Sequence, residues 1–241
     1  MGFLDQISAW WAGFCGDVYT NIIADDRYLL YLEGLKNTLL MAAGAVVIGV
    51  LLGMIVAIIK VYAADNRKLR PLEALCNLYL AVIRGTPMVV QLLIRYYIVF
   101  KSAPPEMAVG VAMLAFGVNS GAYVAEIFRA GITSIDRGQM EAGRSLGLSK
   151  NTTMRYIILP QAIKNILPAL FNEFIVLVKE TSVAGYISIR DLTKAAELVR
   201  SRTFEPFIPL IGIALVYLVL VMVLTAIQRR IERRLTAGDK R

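Results

Sequence analysis

The sequence predicts an all-α membrane protein with about five transmembrane helices, and three observations carry that prediction. The 241 residues are 57% hydrophobic and only 18% charged, whereas a soluble globular domain carries about 25% charge. Residues 37–59 and 206–228 hold no charged side chain over 23 positions each, and residues 107–125 hold none over 19. A helix needs roughly 20 apolar residues to cross a hydrocarbon core. One such window can be a buried core helix, but three in a chain this short exceed what a single soluble core would hold.

The spans are expected at about 35–59, 74–100, 107–130, 156–179 and 206–229. The second carries Arg84 and Arg95 within its apolar run, and the fourth carries Lys164 and Glu173 together with Pro160 and Pro168. Connections are short except for 131–155 and 180–205, so no soluble catalytic domain fits between spans. The division that follows is an N-terminal extracytoplasmic or interfacial segment 1–34, a transmembrane domain 35–229 and a basic tail 230–241.

Charge orients the bundle. Residues 1–36 hold five acids and two bases, while residues 60–71 hold Lys60, Arg67, Lys68 and Arg70 against Asp65. Residues 129–155 hold five bases and two acids, and the tail from Arg229 holds six and two. Residues 183–205 are nearly balanced, with four bases and three acids. Lysine and arginine concentrate in cytoplasmic loops, which predicts the N-terminus outside and the C-terminus inside. Five spans also require opposite ends.

Leu4, Ile7, Trp10, Trp11 and Phe14 recur at helical spacing. Either a short helix in the membrane interface, where tryptophan is favoured, or a helix packed on the bundle satisfies that pattern. The first 20 residues contain Asp5 and Asp17 and no base, so no conventional signal peptide is expected there. The net charge of +8 is gathered in the gaps between spans, which is a topology pattern and argues against nucleic acid as partner. Cys15 and Cys76 lack metal-ligand spacing, and the absence of histidine removes the commonest zinc ligand and proton relay.

The most informative segment lies between spans three and four. A short helix is expected over about 137–146, led in by Asp136 and ended by Gly147, because glycine readily adopts the left-handed position after a helix. Ser149 or Asn151 then caps the next helix. Ala142, Gly143 and Gly147 allow close approach of another backbone, and Glu141 offers a charged contact. A docking stub on the cytoplasmic surface is one reading; an ordinary polar connection containing glycines is the other.

The run Glu141-Ala142-Gly143, three residues to Gly147, nine to Ile157, then Leu159-Pro160 resembles the EAA loop of importer-type ATP-binding-cassette permeases. Gly143 stands where that family has alanine, and a looser stub is expected from its lower helix propensity. Arg84-Gly85-Thr86-Pro87-Met88-Val89-Val90-Gln91-Leu92 resembles the RGTPLLVQ run of the polar amino acid branch. Ala122 to Ile132, Leu159-Pro160-Gln161-Ala162 with Leu167-Pro168, and Lys179-Glu180-Thr181-Ser182 are similar to further runs of that branch.

The resemblance implies a type I importer fold in a bacterial cytoplasmic membrane, and a non-enzymatic subunit. Two permease chains, identical or homologous, would form the pore. An extracytoplasmic solute-binding protein would deliver a polar amino acid, and a cytoplasmic ATPase dimer would bind ATP and magnesium. Residues 131–155 become the coupling loop, and Glu141, Ala142, Gly143, Leu146 and Gly147 the ATPase contacts. No Gly-x-x-x-x-Gly-Lys-Ser/Thr phosphate loop occurs in this sequence, and no cofactor is expected in the chain.

Charges inside spans face cavities, partners or headgroups. Arg84 and Arg129 fall near cytoplasmic ends, where snorkelling or pairing suffices. Arg95 and Glu126 are candidates to meet the carboxylate and ammonium of a zwitterion, or to serve structurally. Asn172 is a candidate wall residue or an interhelical hydrogen bond, in a fourth span expected to be kinked or broken by its prolines. Glu180 and Thr181 are candidates for an outer mouth or an interfacial cap. Asn119, Ser120 and Tyr123 line the centre or support it. Gly49-x3-Gly53 and Gly117-x3-Gly121 are expected to permit close helix crossings. A non-transporting anchor that recruits a cytoplasmic partner is the competing function; a membrane enzyme lacks any nucleophile–base arrangement here.

Overall fold

In the computed structural model, which describes residues 3–63 and 66–236, every element among the described residues is helix or turn. Residues 237–241 of the basic tail and Asp65 of the first basic loop lie outside them. Ten helices follow in order: α1 (Phe3–Val18), α2 (Tyr28–Ala63), α3 (Arg70–Gly85), α4 (Met88–Ile94), α5 (Ala108–Thr133), α6 (Arg137–Ser145), α7 (Lys150–Thr153), α8 (Leu159–Glu180), α9 (Leu192–Thr203) and α10 (Phe207–Thr236).

α2 and α5 form the central pair, and small residues bring them together. A Cβ at Gly49 would stand 2.7 Å from the Ser120 hydroxyl, one at Gly53 2.7 Å from Val124, and one at Gly117 2.6 Å from Ile48. Backbones approach this closely only where the side chain is absent. Both glycine pairs therefore serve packing. Around the crossing, Met41, Ala42, Ala45, Ala112, Ala115 and Phe116 bury a core shared with Leu92, Leu177 and Val178.

The contact register rises together along both helices, from Gly44 against Met113 to Gly53 against Val124, so α2 and α5 run parallel. Residues 64–107 must therefore travel back along the bundle. Among the described residues, four helices are long and apolar enough to cross a membrane, and the bent pair 67–85 and 88–99 adds a fifth when it is counted as one span. α8 runs antiparallel to α5, with Ile166 against Gly131 at one end and Glu173 bonded to Ser120 nearer the other.

The break expected of the fourth span is found instead in the second. The second span is the broken one, bent by 108° at residues 86–87. Thr86 and Pro87 are both extended, with ψ of 145° and 138°, because the residue before proline avoids the helical region and Pro87 cannot donate back to α3. The fourth span instead runs through its prolines. Pro160 stands where α8 takes over from the π-helical turn Met154–Ile158, and Pro168 lies inside its 22 residues without ending it. Gln228 of α10 donates to the Pro168 carbonyl at 3.1 Å.

The segment after α8 folds back over the start of α2. Asn37 donates to the Arg190 carbonyl at 2.9 Å, Arg190 pairs with Glu33 at 3.1 Å, and the Leu192 amide donates to Thr38 at 3.2 Å. Gly34 permits this, since a Cβ there would lie 2.7 Å from the Asp191 carbonyl oxygen. Asp191 caps α9 by accepting from the Thr193 and Lys194 amides. Thr203 ties the same strap to Asn21 at 2.8 Å.

Candidate functional site

The stub between α5 and α8 is a helix closed at both ends by its own sequence. Asp136 accepts from the Gly138 amide at 2.7 Å, satisfying one orphan donor of the first turn. At the other end Gly147 takes φ +81°. The Leu148 amide then reaches the Gly143 carbonyl at 3.1 Å and the Gly147 amide the Arg144 carbonyl at 3.0 Å. That bond pair is the Schellman closure, and Arg144 adds a bond to the Leu148 carbonyl at 3.1 Å. Ser149 caps α7 by accepting from the Thr152 amide at 3.1 Å, whereas Asn151 lies inside that helix.

Gly143 is the only buried residue of α6 among those described. A Cβ there would stand 2.5 Å from Thr153 Cγ2 and 2.7 Å from its Oγ1, and Thr153 itself is fully buried. Beyond its lower helix propensity, this glycine has a packing role: it lets α6 press on α7, which leads through the turn Met154–Ile158 directly into α8. The outward face is the reverse. Glu141, Ala142 and Gly147 are exposed, and Leu146 is 81% exposed at the helix end. An exposed leucine offers a partner an apolar contact, and the exposed Glu141 carboxylate offers it a charge.

Inside the bundle, the bend in the second span is held by Gln91. Its Nε2 lies 2.7 Å from the Ile83 carbonyl, 3.1 Å from the Thr86 carbonyl and 2.8 Å from Thr86 Oγ1. The Ile83 and Thr86 carbonyls are ones that the end of α3 leaves without helical donors. Its Oε1 accepts from Arg95 at 3.2 Å and from Asn119 of α5 at 3.3 Å. Gln91 and Asn119 are buried and Arg95 half-buried. The Arg95 guanidinium and the Asn119 amide thus both donate to Gln91 Oε1, and a guanidinium is a group that matches a carboxylate by geometry.

The other candidates lie apart from that cluster. Glu126 pairs with Arg129 at 2.8 Å, one turn away on α5, and Arg84 stacks over the Tyr123 ring at 5.6 Å. Asn172 is exposed on the single chain and Glu180 half-buried. Thr181 is fully buried and donates to the Val178 carbonyl at 2.9 Å. Ser120, beside Asn119, donates at 2.7 Å to the buried carboxylate of Glu173 on α8. Gln91 and the Ser120–Glu173 bond were not singled out in the sequence; the available signal for Gln91 was an amide placed shortly after Thr86-Pro87 in an apolar run. Among the described residues, no three histidine, cysteine, aspartate or glutamate side chains gather to hold a metal.

Residues 39–237 match the family profile of binding-protein-dependent transport system inner membrane components. The chain belongs to that family. It is a permease subunit of an ABC-type importer. A putative glutamine transport system permease protein, GlnP, of Rickettsia bellii (strain RML369-C) is 40% identical over 210 residues, covering 87% of this permease and 94% of that protein. The arginine transport system permease protein ArtQ of Bacillus subtilis (strain 168) is 38% identical, over 86% and 93% of the two chains. A chain from a crystal structure of an amino acid ABC transporter with histidines superimposes with TM-score 0.78 at 38% identity, covering 97% of this permease and 99% of that chain. An inward-facing MetNI methionine ABC transporter chain shares the fold, with TM-score 0.74 at 18% identity.

Proposed function

We propose that this permease carries a polar amino acid inward across a bacterial cytoplasmic membrane, with α6 as the element through which a partner ATPase drives it. The single observation that carries the reading is the α6 stub: capped at both ends, keyed through Gly143 and Thr153 to α7, which leads on into α8, and presenting Leu146 outward at 81% exposure. A solvent-exposed leucine on a rigid helix gains from burial in a partner groove. A push on the stub then reaches α8 through a close contact, which is the coupled element that action at a distance requires.

In this reading the N-terminus lies outside and the C-terminus inside, which puts every strongly basic connection in the cytoplasm. A second permease chain, identical or homologous, completes the pore. An extracytoplasmic binding protein delivers solute over the strap 181–206, and an ATPase dimer supplies ATP and magnesium chemistry. Arg95, with Gln91 and Asn119 beside it, meets the solute carboxylate on the way through. Asn172 faces the pore from α8, and Glu180 and Thr181 form the outer end of that path. Glu126 serves α5 through Arg129. The amino-acid class is supported by the names of the relatives, which include glutamine, arginine and, in a further Bacillus subtilis permease 37% identical over 190 residues, L-cystine.

The test is uptake into proteoliposomes that hold this permease with its ATPase and binding protein, using labelled glutamine, arginine and cystine. ATP-dependent accumulation of at least one supports the reading. Hydrolysis without accumulation, in a complex shown to be assembled, leaves the anchor function instead.

A further inference from the structure

We infer that the basic end of α10 holds the headgroup of an anionic phospholipid, with the acyl chains lying along the same helix face. One surface groove is lined by Val221, Met222, Thr225, Ala226, Arg229, Arg230 and Arg233. These positions form one stripe of the helix, since residues three and four apart share a face. Its composition changes abruptly along the axis, from apolar and small to three guanidinium groups.

The change falls at a membrane depth set by length. Residues 207–228 of α10 are uncharged and span about 33 Å of helix at 1.5 Å per residue, close to the roughly 30 Å of a hydrocarbon core. Arg229 and Arg230 thus emerge at the phosphate level, with Arg233 one turn beyond. Only 17% of the apolar part of α10 is buried inside the chain, and Met222 is 62% exposed beside the small Ala226. The depression at Ala226 gives an acyl chain a seat directly below the arginines, and arginine binds phosphate oxygens in bidentate fashion.

Other occupants fit the stripe less well. A free anion has no use for the apolar half. A second copy packed face to face through a two-fold axis would set arginine against arginine. An acidic protein surface satisfies the arginines but not Met222 and Ala226 within the hydrocarbon. The inference uses only that α10 crosses a bilayer, so it stands or falls separately from amino-acid import.

The experiment titrates the full-length permease, in neutral detergent micelles, with phosphatidylglycerol or phosphatidylcholine and counts bound lipid by native mass spectrometry. The wild type is expected to bind phosphatidylglycerol at least tenfold more tightly than phosphatidylcholine. R229Q/R230Q/R233Q is expected to lose at least fivefold of that affinity, while the equally discharged control R67Q/K68Q/R70Q stays within twofold. A226W leaves the charge intact, fills the acyl seat and is expected to lose at least threefold, so the inference remains testable if the triple variant fails to fold. Equal loss in the control, full retention in A226W, or displacement of the lipid by inorganic phosphate at 10 mM would overturn it. So would an unchanged lipid count in R229Q/R230Q/R233Q accompanied by weaker binding of the partner ATPase.

Discussion

Gly143 of the stub and Thr153 at the foot of the fourth span touch so closely that a single added carbon at Gly143 would lie 2.5 Å from Thr153 Cγ2. The glycine that weakens helix propensity is thus the residue that fastens the stub to the span it is proposed to move. Gly143→Ala gains about 1 kcal/mol of helix propensity but forces an overpacked contact worth about 1–3 kcal/mol in the other direction. The variant should unfold earlier and import more slowly. Gly143→Ala with Thr153→Ala should recover both, and a double-mutant cycle on thermal stability and uptake reads the coupling. Independent, additive effects would show that the contact carries nothing.

Gln91 should behave as a structural pin of the bent span. Replacing it with leucine leaves the Ile83 and Thr86 carbonyls without the amide donor and withdraws the acceptor from Arg95 and Asn119. Unsatisfied buried groups cost about 1–3 kcal/mol. Gln91→Leu should lower the unfolding temperature in detergent and depress uptake more than tenfold. Unchanged stability and uptake would remove Gln91 from the account.

The exposed Leu146 predicts the opposite pattern, with function affected and fold untouched. Burying a leucine against a partner contributes about 1.5–3 kcal/mol, so Leu146→Ala should weaken ATPase binding by at least tenfold without shifting thermal unfolding. Titration of the purified partner ATPase against both proteins decides this. Equal affinities would place the docking contact elsewhere.

Asp191 gives a pH dependence whose sign can be worked out. It caps α9 in the strap outside the spans, and burial pushes its carboxyl above the ordinary value of 3.8 despite the Thr193 and Lys194 amides it accepts from. The folded state therefore holds its proton to higher pH than the unfolded chain does. Its contribution to stability is fully present below the ordinary value and is lost as pH rises through the folded one. Asp191→Asn keeps a capping acceptor and cannot titrate, so its unfolding temperature should not share the fall that wild type shows above about pH 4. Parallel pH profiles would show that the carboxyl does not titrate this way.

Much of the architecture was legible because it rests on periodicity and punctuation. The stub was expected over 137–146 and occupies Arg137–Ser145, since Asp136 and Gly147 signal their ends locally. The crossing of α2 and α5 followed from glycines four apart. The fourth span is not broken as its prolines suggest, and the bend lies at Thr86-Pro87 instead, for a reason equally local. Pro160 and Pro168 were weighed as breakers, but one stands where the π-helical turn gives way to α8 and the other is accommodated within α8, while Pro87 follows Thr86 where two extended residues halt the helix. Bonds such as Gln91 to Asn119 and Ser120 to Glu173 link residues 28 and 53 positions apart. No local pattern encodes them; only the packed bundle brings them together.

The claim that α6 transmits ATP-driven work is tested most directly by the stoichiometry of ATP hydrolysed per solute imported, measured in assembled proteoliposomes for wild type and Glu141→Ala. The account predicts that the variant still hydrolyses ATP but needs at least tenfold more of it per molecule imported. An unchanged ratio, in a complex shown to contain both permease and ATPase, would contradict it.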